Sequence, residues 1–247
     1  MDPPFLRIIT EIIIGTFSSP PILTYYVVIQ LALFVGFMIA AYIMYPKKNH
    51  YSIMDSTMSF LGSPDEVHNP HGYFFFNIGI VWKMITNIPL TIFMFRHLVT
   101  FSIFGAYVVI LFYGIGILSG IIVGLFPDKE EDRKIGGNFF KDLKLGMVHN
   151  IAAILSFGSS MLANFAIGLI YIFNPYIRSI SQWLPPVLIY FGATVGMFWA
   201  QIKWQLKLKS NQKLKPWPGE GIFSLPMWEW TLYLSFQVFI YWMVFII

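Results

Sequence analysis

Six long apolar runs limit what this 247-residue chain can fold into more than any other feature of its sequence. Each run holds about 20 residues or more, the length that a helix needs to cross a hydrocarbon core of about 30 Å. In lipid, every backbone polar group must bond within its own segment, so such a run is either a helix or part of a closed barrel. The runs lack the alternation of apolar and polar residues that is typical of barrel strands. The sequence therefore predicts an all-α, polytopic membrane protein, built as a bundle of six transmembrane helices.

The composition agrees with this class and excludes several functions. Hydrophobic residues make up 57% of the chain and charged residues 11%, whereas a soluble domain carries about 25% charge. There is no cysteine, which excludes disulfides, thiolate metal ligands and cysteine nucleophiles. The net charge of +4 is small and lies in the loops, so we interpret it as topology information rather than as a sign of nucleic-acid binding. We expect membrane lipids as partners and no cofactor.

The six spans and the segment ahead of them divide the chain into two parts. We predict an N-terminal interfacial segment, residues 1–21, and a six-helix transmembrane domain, residues 22–247. The spans are predicted at 22–45, 72–95, 99–126, 146–173, 183–203 and 229–247. Pro185-Pro186 is predicted to mark the start of the fifth span.

The N-terminal segment is amphipathic over residues 5–17, and Arg7 and Glu11 stand one helical turn apart in it. It is too short to span, and Pro20-Pro21 ends it. We interpret it as a helix lying in the membrane interface, the alternative being a disordered tail. No cleavable signal peptide is expected, because acidic residues stand where a basic n-region would be.

The lysines and arginines predict the orientation in the cell membrane. Twelve of the 16 lie in or beside loops one (46–71), three (127–145) and five (204–228). The positive-inside rule therefore places these loops in the cytoplasm and both termini outside. The lysines of loop five alternate with apolar residues, which indicates either a stretch lying on anionic lipid or a solvated loop.

Small residues recur at intervals of four in two spans. They are Gly116, Gly120 and Gly124 in the third span and Gly192, Gly196 and Ala200 in the fifth. Small residues on one face allow two helix backbones to approach closely. We expect both faces to pack inside the monomer, with a homodimer through one of them as the alternative.

Lys83 is the most unusual single residue, because it lies about 16 Å along the second predicted span at 1.5 Å per residue. An ionisable group at that depth is costly and usually faces a partner or a cavity. With Asn87, beside the helix-distorting Pro89, it resembles the polar site of a transporter. Alternatively, the span starts later and Lys83 reaches the headgroups. Its expected partners are a set of carbonyls or one of three acids, Asp55, Asp128 and Glu229.

The odd-numbered loops share one end of the bundle, and most of the other suggestive polar residues lie there. The candidate substrate-binding residues are Asp55, Asn77, Lys83, Asn150 and Glu229. His149 and Asp128 are candidates for an acid/base pair, and Ser59 is a candidate nucleophile or oxyanion donor. The alternative is that His149 bonds a loop carbonyl and that Ser59 caps a short helix.

A metal site is a second interpretation of the same region. His68 and His71 are three residues apart, and Asp128 and His149 supply further nitrogen and oxygen ligands. Pro70 lies between the first two histidines and makes a regular helical turn there doubtful.

Several segments resemble motifs of one protein family. These are YSIMDSTMSFLGSP with the following FNIG, the Gly124–Asp128 end of span three with Gly146-x-x-His149, and the Trp-Glu-Trp that opens span six. In these the chain resembles the domain of unknown function 998 family, six-helix membrane proteins of bacteria and archaea. That family is distantly similar to the DRAM and post-GPI-attachment lipid-remodelling proteins. The resemblance implies that functional positions are Ser59, Gly62, Asn77, Pro127, Asp128 and His149.

These observations predict a protein that binds or modifies a lipid at a polar pocket on the face of loops one, three and five. Hydrolysis or acyl transfer is the expected reaction class if the protein is an enzyme. Lipid remodelling in the relatives is expected on the outer or luminal side, which conflicts with the cytoplasmic placement from the charges. The alternatives are a non-catalytic lipid-binding protein, a small transporter or a structural subunit of a membrane complex.

Overall fold

The structure, a computed structural model, confirms the all-α fold class and the six spans. It describes residues 4–49, 51–54, 56–66, 68–127, 148–174, 179–210 and 224–247. Its α-helices are α1 (Pro4–Ile13), α2 (Pro20–Ile43), α3 (Tyr73–Leu98), α4 (Ile103–Leu125), α5 (Val148–Phe173), α6 (Ile180–Ser210) and α7 (Leu225–Ile246). Two short 3₁₀ helices, Lys47–Asn49 and Met58–Gly62, lie in loop one. The six helices from α2 to α7 are each long and apolar enough to cross a membrane.

Prolines and a capping serine explain where the helices begin. Pro20 and Pro21 open α2 as well as ending the preceding segment, because a proline in the first turn loses no helical hydrogen bond. The last helix, α7, begins at Leu225, four residues before the predicted start. Its cap is Ser224, whose hydroxyl accepts a hydrogen bond from the Met227 amide at 3.4 Å.

The prediction that Pro185-Pro186 marks the start of the fifth span is wrong. The corresponding helix, α6, begins at Ile180 and contains both prolines. A proline at position 186 has no N–H to donate to the carbonyl of Gln182. The indole of Trp242 donates to that carbonyl at 2.8 Å instead, so the group that the proline leaves unpaired is satisfied by α7.

Large apolar side chains cover the outside of the bundle, among them Ile43, Phe104 and Phe173. Soluble proteins rarely expose contiguous apolar surface on this scale. Hydrocarbon tails are a solvent in which such a surface carries no penalty. This surface and the six long apolar helices together make the chain a multi-pass membrane protein.

The glycines of α4 are contact points between helices, as predicted. A Cβ added at Gly116 would lie 2.7 Å from the hydroxyl of Ser160 on α5. One added at Gly124 would lie 2.9 Å from the backbone oxygen of Asn77 on α3. Gly196 of α6 is covered in the same way by the ring of Trp228, whereas a Cβ added at Gly192 would meet no atom within 4 Å. Gly116, Gly124 and Gly196 therefore pack within one chain, and Gly192 does not.

The buried apolar side chains form two separate clusters. One surrounds Leu90, Met94 and Tyr113, toward the end of the bundle that carries α1, which we name the terminal face. The other surrounds Phe76 and Met58, at the opposite end, which we name the loop-one face. Each span packs mainly against its neighbour along the chain, and α7 also packs against α3 and loop one. A group of polar side chains lies between the two apolar clusters.

Candidate functional site

This polar group consists of Gln30, Lys83, Thr86, Asn87 and Tyr241, which we name the mid-span cluster. Gln30 comes from α2, Tyr241 from α7 and the other three from α3. The Lys83 side chain is fully buried, which contradicts the alternative that it reaches the headgroups. Gln30 and Asn87 are each 1% exposed. Together with Lys83, they are three polar side chains that are almost completely buried at one depth in the bundle.

Hydrogen bonds join the cluster into one network. The Lys83 ammonium donates to the hydroxyl of Tyr241, and its nitrogen lies 4.3 Å from the centroid of that ring. Tyr241 donates to Oε1 of Gln30 at 3.1 Å. Nε2 of Gln30 then donates to Thr86 Oγ1 at 2.8 Å and to Asn87 Oδ1 at 2.9 Å. The amide nitrogen of Asn87 is buried without a partner among the described residues.

Among the described residues, the partner of Lys83 is neither an acid nor a set of carbonyls, the two kinds of partner that the sequence predicts. Within the described residues its partner is Tyr241, and no carboxylate contacts the amine. Glu229 accepts from the Met58 amide at 3.0 Å instead. Asp55 and Asp128 lie outside the described residues. Of the spans themselves, α2 to α6 contain no aspartate or glutamate, and α7 has only Glu229 near its start.

Sequence reasoning found Lys83 and Asn87 but missed Gln30 and Tyr241. A signal for Gln30 was present, because it is the only amide side chain in α2 and lies about 15 Å from the start of that helix at 1.5 Å per residue. Consecutive spans run antiparallel, so the middles of α2 and α3 must lie at the same depth. Tyr241 gave no such signal, because α7 contains several aromatic residues of which only some face inward.

A groove runs along the outside of the bundle from the terminal face to the mid-span cluster. It is a cavity of about 360 Å³ between α1, α2 and α3, and we name it the α1–α3 groove. Ile8, Ile12, Ile22 and Ile29 form its wall, and Gln30 and Thr86 lie at its floor, so the surface of the groove is almost entirely apolar. The groove therefore ends on two members of the hydrogen-bonded network.

Two further side chains fix the floor of the groove beside Pro89. The hydroxyl of Tyr26 donates to the carbonyl of Thr86 at 2.7 Å, and the indole of Trp82 donates to the carbonyl of Gln30 at 3.4 Å. Pro89 removes one backbone donor from this stretch of α3. That donor would have bonded the carbonyl of Ile85, and the tyrosine contact is made at the next carbonyl along the helix.

Glu11 of α1 joins the amphipathic helix to the chain that follows it. It accepts from Arg7 Nε at 3.0 Å, which confirms the predicted pairing across one turn. The hydroxyl of Ser18 donates to the same carboxylate at 2.5 Å. The hydrogen bond from Ser18 is the main reason that the pKa of Glu11 lies below its usual value. α1 is therefore held against the start of α2, over the groove.

Loop one is folded into a cap over the loop-one face, and Asn69 is its central residue. The Asn69 side chain is fully buried. Its Nδ2 donates to the carbonyls of Ala41 at 3.0 Å and Leu61 at 2.8 Å, and its Oδ1 accepts from the Gly72 amide at 3.0 Å. Asn69 thus joins the end of α2, the 3₁₀ helix and the start of α3.

Two contacts tie this cap to α7. The first is the hydrogen bond from the Met58 amide to Glu229. In the second, the indole of Trp230 donates to the hydroxyl of Tyr51 at 2.8 Å. Burial raises the pKa of Tyr51 above its usual value, so this residue is a neutral phenol at physiological pH. Glu229 therefore has a structural contact at the place where sequence reasoning expected a substrate contact.

The predicted catalytic residues lie on the loop-one face but are not assembled there by the described residues. Ser59 is half-buried in the 3₁₀ helix, and its hydroxyl donates to Thr57 Oγ1 at 3.4 Å. His149 is buried in the first turn of α5, with Nδ1 at 2.8 Å from the carbonyl of Phe126. Asp128 lies outside the described residues. The contact of His149 is the loop-carbonyl bond of the alternative interpretation.

Asn77 and Asn150, the remaining predicted binding residues, differ in their surroundings. Asn77 is buried beneath Gly62, where an added Cβ would lie 2.7 Å from Asn77 Oδ1. That oxygen has no hydrogen-bond partner among the described residues. Asn150 is half-buried at the start of α5.

The metal interpretation gains no support from the part of the chain that the structure describes. No three histidine, aspartate or glutamate side chains lie together there. His71 is exposed, and the ring of His68 contacts the carboxylate of Asp65 and lies 4.2 Å from the ring of Phe60, tilted by 45° to it. Asp128, the fourth proposed ligand, lies outside the described residues.

The Asp65–His68 pair makes the stability of the cap depend on pH. Burial raises the pKa of Asp65, but hydrogen bonds from the Ser63 hydroxyl and from His68 outweigh it, so the pKa lies below its usual value. A carboxylate whose pKa is lowered in the folded state stabilises the protein at pH values above the pKa of the unfolded state, which is about 3.9. This stabilisation is lost as the pH falls through the folded-state pKa.

We expect Asp65→Asn to lower the melting temperature at pH 7 and to have a smaller effect at pH 3. Thermal unfolding of both proteins at the two pH values checks this, and an equal difference at both would contradict it.

Comparison with known proteins adds no family to this description. No protein-family model matches the chain, and no curated protein and no solved structure matches it.

Proposed function

We propose that this chain is a non-catalytic lipid-binding membrane protein, and that its ligand is a single-chain lipid with an acidic head. The chain of the lipid would lie in the α1–α3 groove, with its head on the floor formed by Gln30 and Thr86. The single observation that carries the proposal is that an apolar groove ends on a buried polar network with a lysine behind it.

The groove has the size and the opening that such a ligand requires. Its volume of about 360 Å³ lies within the range of about 300–1,000 Å³ that is common for small-molecule sites. Tyr25 and Ile29 at its rim are 68% and 56% exposed, so the groove opens sideways toward lipid. A lipid can therefore enter from the bilayer without passing through water.

The charge of the site favours an acidic head over a neutral one. Lys83 lies behind the floor, where the hydroxyl of Tyr241 joins it to Gln30, and no carboxylate of the described residues balances its charge. A buried cation without an opposite charge beside it is costly, and an anion nearby in a medium of low dielectric constant lowers that cost.

Filling the groove should prevent binding. We expect Ile29→Trp to weaken the binding of a long-chain fatty acid at least about tenfold, because the indole would occupy the space of the alkyl chain. Val28→Trp is a matched control, since Val28 is the adjacent residue, is also 56% exposed and does not line the groove. Fluorescence titration of both variants in nanodiscs with a labelled fatty acid measures the difference. Equal affinity of the two variants would place the ligand elsewhere.

Lipid modification at the loop-one face is the second candidate, and one contact favours it. The bond between His149 Nδ1 and the Phe126 carbonyl fixes the orientation of the imidazole ring, as a general base requires. In that proposal His149 is the acid or base, Asp128 orients it and Ser59 binds or attacks the lipid, by hydrolysis or acyl transfer. His149→Ala, Asp128→Ala and Ser59→Ala should then each abolish turnover of a lipid in folded protein. Undiminished turnover in all three would reject this role.

Three sequence predictions remain predictions beside these proposals. They are the resemblance to the domain of unknown function 998 family, the cytoplasmic placement of loops one, three and five, and the association of two copies. The charges of the loops support the second of them. The small residues of α4 contact α3 and α5 within the chain, so a dimer would need a different face.

A further inference from the structure

One face of α7 carries polar side chains from the loop-one face down to Lys83. Glu229, Tyr233, Gln237 and Tyr241 follow each other at intervals of four residues, which places them in one line along the helix. The ends of this line have known partners, since Glu229 contacts the Met58 amide and Tyr241 contacts Lys83. The ring of Tyr233 lies 5.6 Å from that of Phe34, so the line faces α2 and α3.

The two polar side chains in the middle of this line are buried, and their polar atoms have no hydrogen-bond partner among the described residues. Gln237 is 5% exposed, and neither its Nε2 nor its Oε1 has a hydrogen-bond partner among the described residues. Tyr233 is 3% exposed, and its hydroxyl also has none. A buried polar group without a partner costs about 1–3 kcal/mol, so native proteins pair such groups or bridge them with ordered water.

The distance between successive polar side chains on this line matches the span of one bridging water molecule. Side chains four residues apart on a helix are separated by about 6 Å along the axis. A water molecule that bridges two polar groups spans two hydrogen bonds of about 2.8 Å each. One water molecule between successive groups would therefore satisfy Tyr233 and both ends of the Gln237 amide.

We propose that this face of α7 holds a file of water molecules that joins Lys83 to the solution at the loop-one face. Through it the Lys83 ammonium can release its proton to water, and the amine can take one up again, without leaving the bundle. Among the described residues, the titratable groups that face the Lys83 network are tyrosines, Tyr241 and Tyr233 from α7 and Tyr26 from α2. The inference concerns access of water and does not depend on the identity of a lipid ligand.

Reaction of an introduced thiol with silver ion tests this path, because Ag⁺ is small and hydrated and the chain has no cysteine of its own. Lys83→Cys in nanodiscs should react with Ag⁺ about tenfold or more faster than Leu90→Cys, since a thiolate forms readily only where water reaches. Leu90 is a matched control, because it is on the same helix and is as fully buried as Lys83.

Adding Gln237→Leu to Lys83→Cys should slow the reaction about tenfold or more, because leucine closes the line to water. Should Lys83→Cys fail to fold, Gln237→Cys probes the same path and should also react faster than Leu90→Cys. Equally slow reaction of the introduced thiol and the Leu90→Cys control would overturn the proposal. So would a fast reaction of Lys83→Cys that Gln237→Leu leaves unchanged, because water would then arrive by another route.

Discussion

A Lys83→Met variant should be more stable than the natural protein and yet bind a long-chain fatty acid about 100-fold more weakly. The gain in stability should be about 1–3 kcal/mol, because methionine fills a similar volume without a buried charge. Tyr241 keeps its other hydrogen bond, to Gln30, so the substitution leaves its hydroxyl with a partner. Opposite effects on stability and binding are expected of a residue that is retained for function rather than for folding.

The loss of binding follows from removing the buried cation that lies behind the acidic head and is joined to the floor through Tyr241. Such truncations cost about 2–5 kcal/mol, and each 1.4 kcal/mol is a factor of about ten in affinity. A fatty alcohol of the same chain length is the matched ligand control, and its affinity should not change. Lys203→Met is the matched protein control, because Lys203 lies near the end of α6 with its amine 4.9 Å from the ring of Trp199, away from the mid-span cluster.

Thermal unfolding and fatty-acid titration of the two lysine variants measure both effects. If Lys83→Met lowered the melting temperature and left the affinity unchanged, the lysine would have a structural role and the site would lie elsewhere. If the affinities for the acid and the alcohol fell equally, Lys83 would shape the groove rather than recognise a charge.

The second large effect is expected at Asn69, where Asn69→Ala should destabilise the protein by about 3 kcal/mol or more. The substitution leaves the carbonyls of Ala41 and Leu61 and the amide of Gly72 without their partner in a fully buried position. A buried polar group that loses its partner costs about 1–3 kcal/mol. The three segments that Asn69 joins would then separate more easily.

His71→Ala is the control for this prediction, because His71 is two residues away in the same loop and is exposed. Thermal unfolding of both variants in the same detergent measures the difference. A melting temperature for Asn69→Ala within the error of the natural protein would show that water replaces all three hydrogen bonds. The cap would then contribute little to the stability of the bundle.

The sequence predicted the spans well, because the length and composition of a helix in lipid are set by the bilayer. Each apolar run must form its backbone hydrogen bonds within itself, so six runs predict six helices. The helix starts were harder to predict, because they depend on side-chain partners. Pro185 and Pro186 predict the start of a helix, whereas the Trp242 indole donates to the carbonyl of Gln182 and allows α6 to begin at Ile180.

The candidate site was predictable only in part, for a similar reason. The cost of a charge in lipid identified Lys83 from the sequence, and that prediction needed no knowledge of packing. Its partner could not be predicted, since any inward-facing group at the same depth on another helix would serve. The structure supplies Tyr241 instead of an acid. Asn69 was overlooked because an asparagine in a polar loop has no periodicity to distinguish it.

Photochemical crosslinking of a bound lipid tests the central claim most directly. A long-chain fatty acid carrying a diazirine next to its carboxylate, irradiated with the protein in nanodiscs, marks the residues around its head. We predict adducts on Gln30, Trp82 or Thr86, which competition with unlabelled fatty acid removes. Adducts confined to the lipid-facing surface, for example at Phe104 and Leu118, and insensitive to competition would contradict a lipid site at the mid-span cluster.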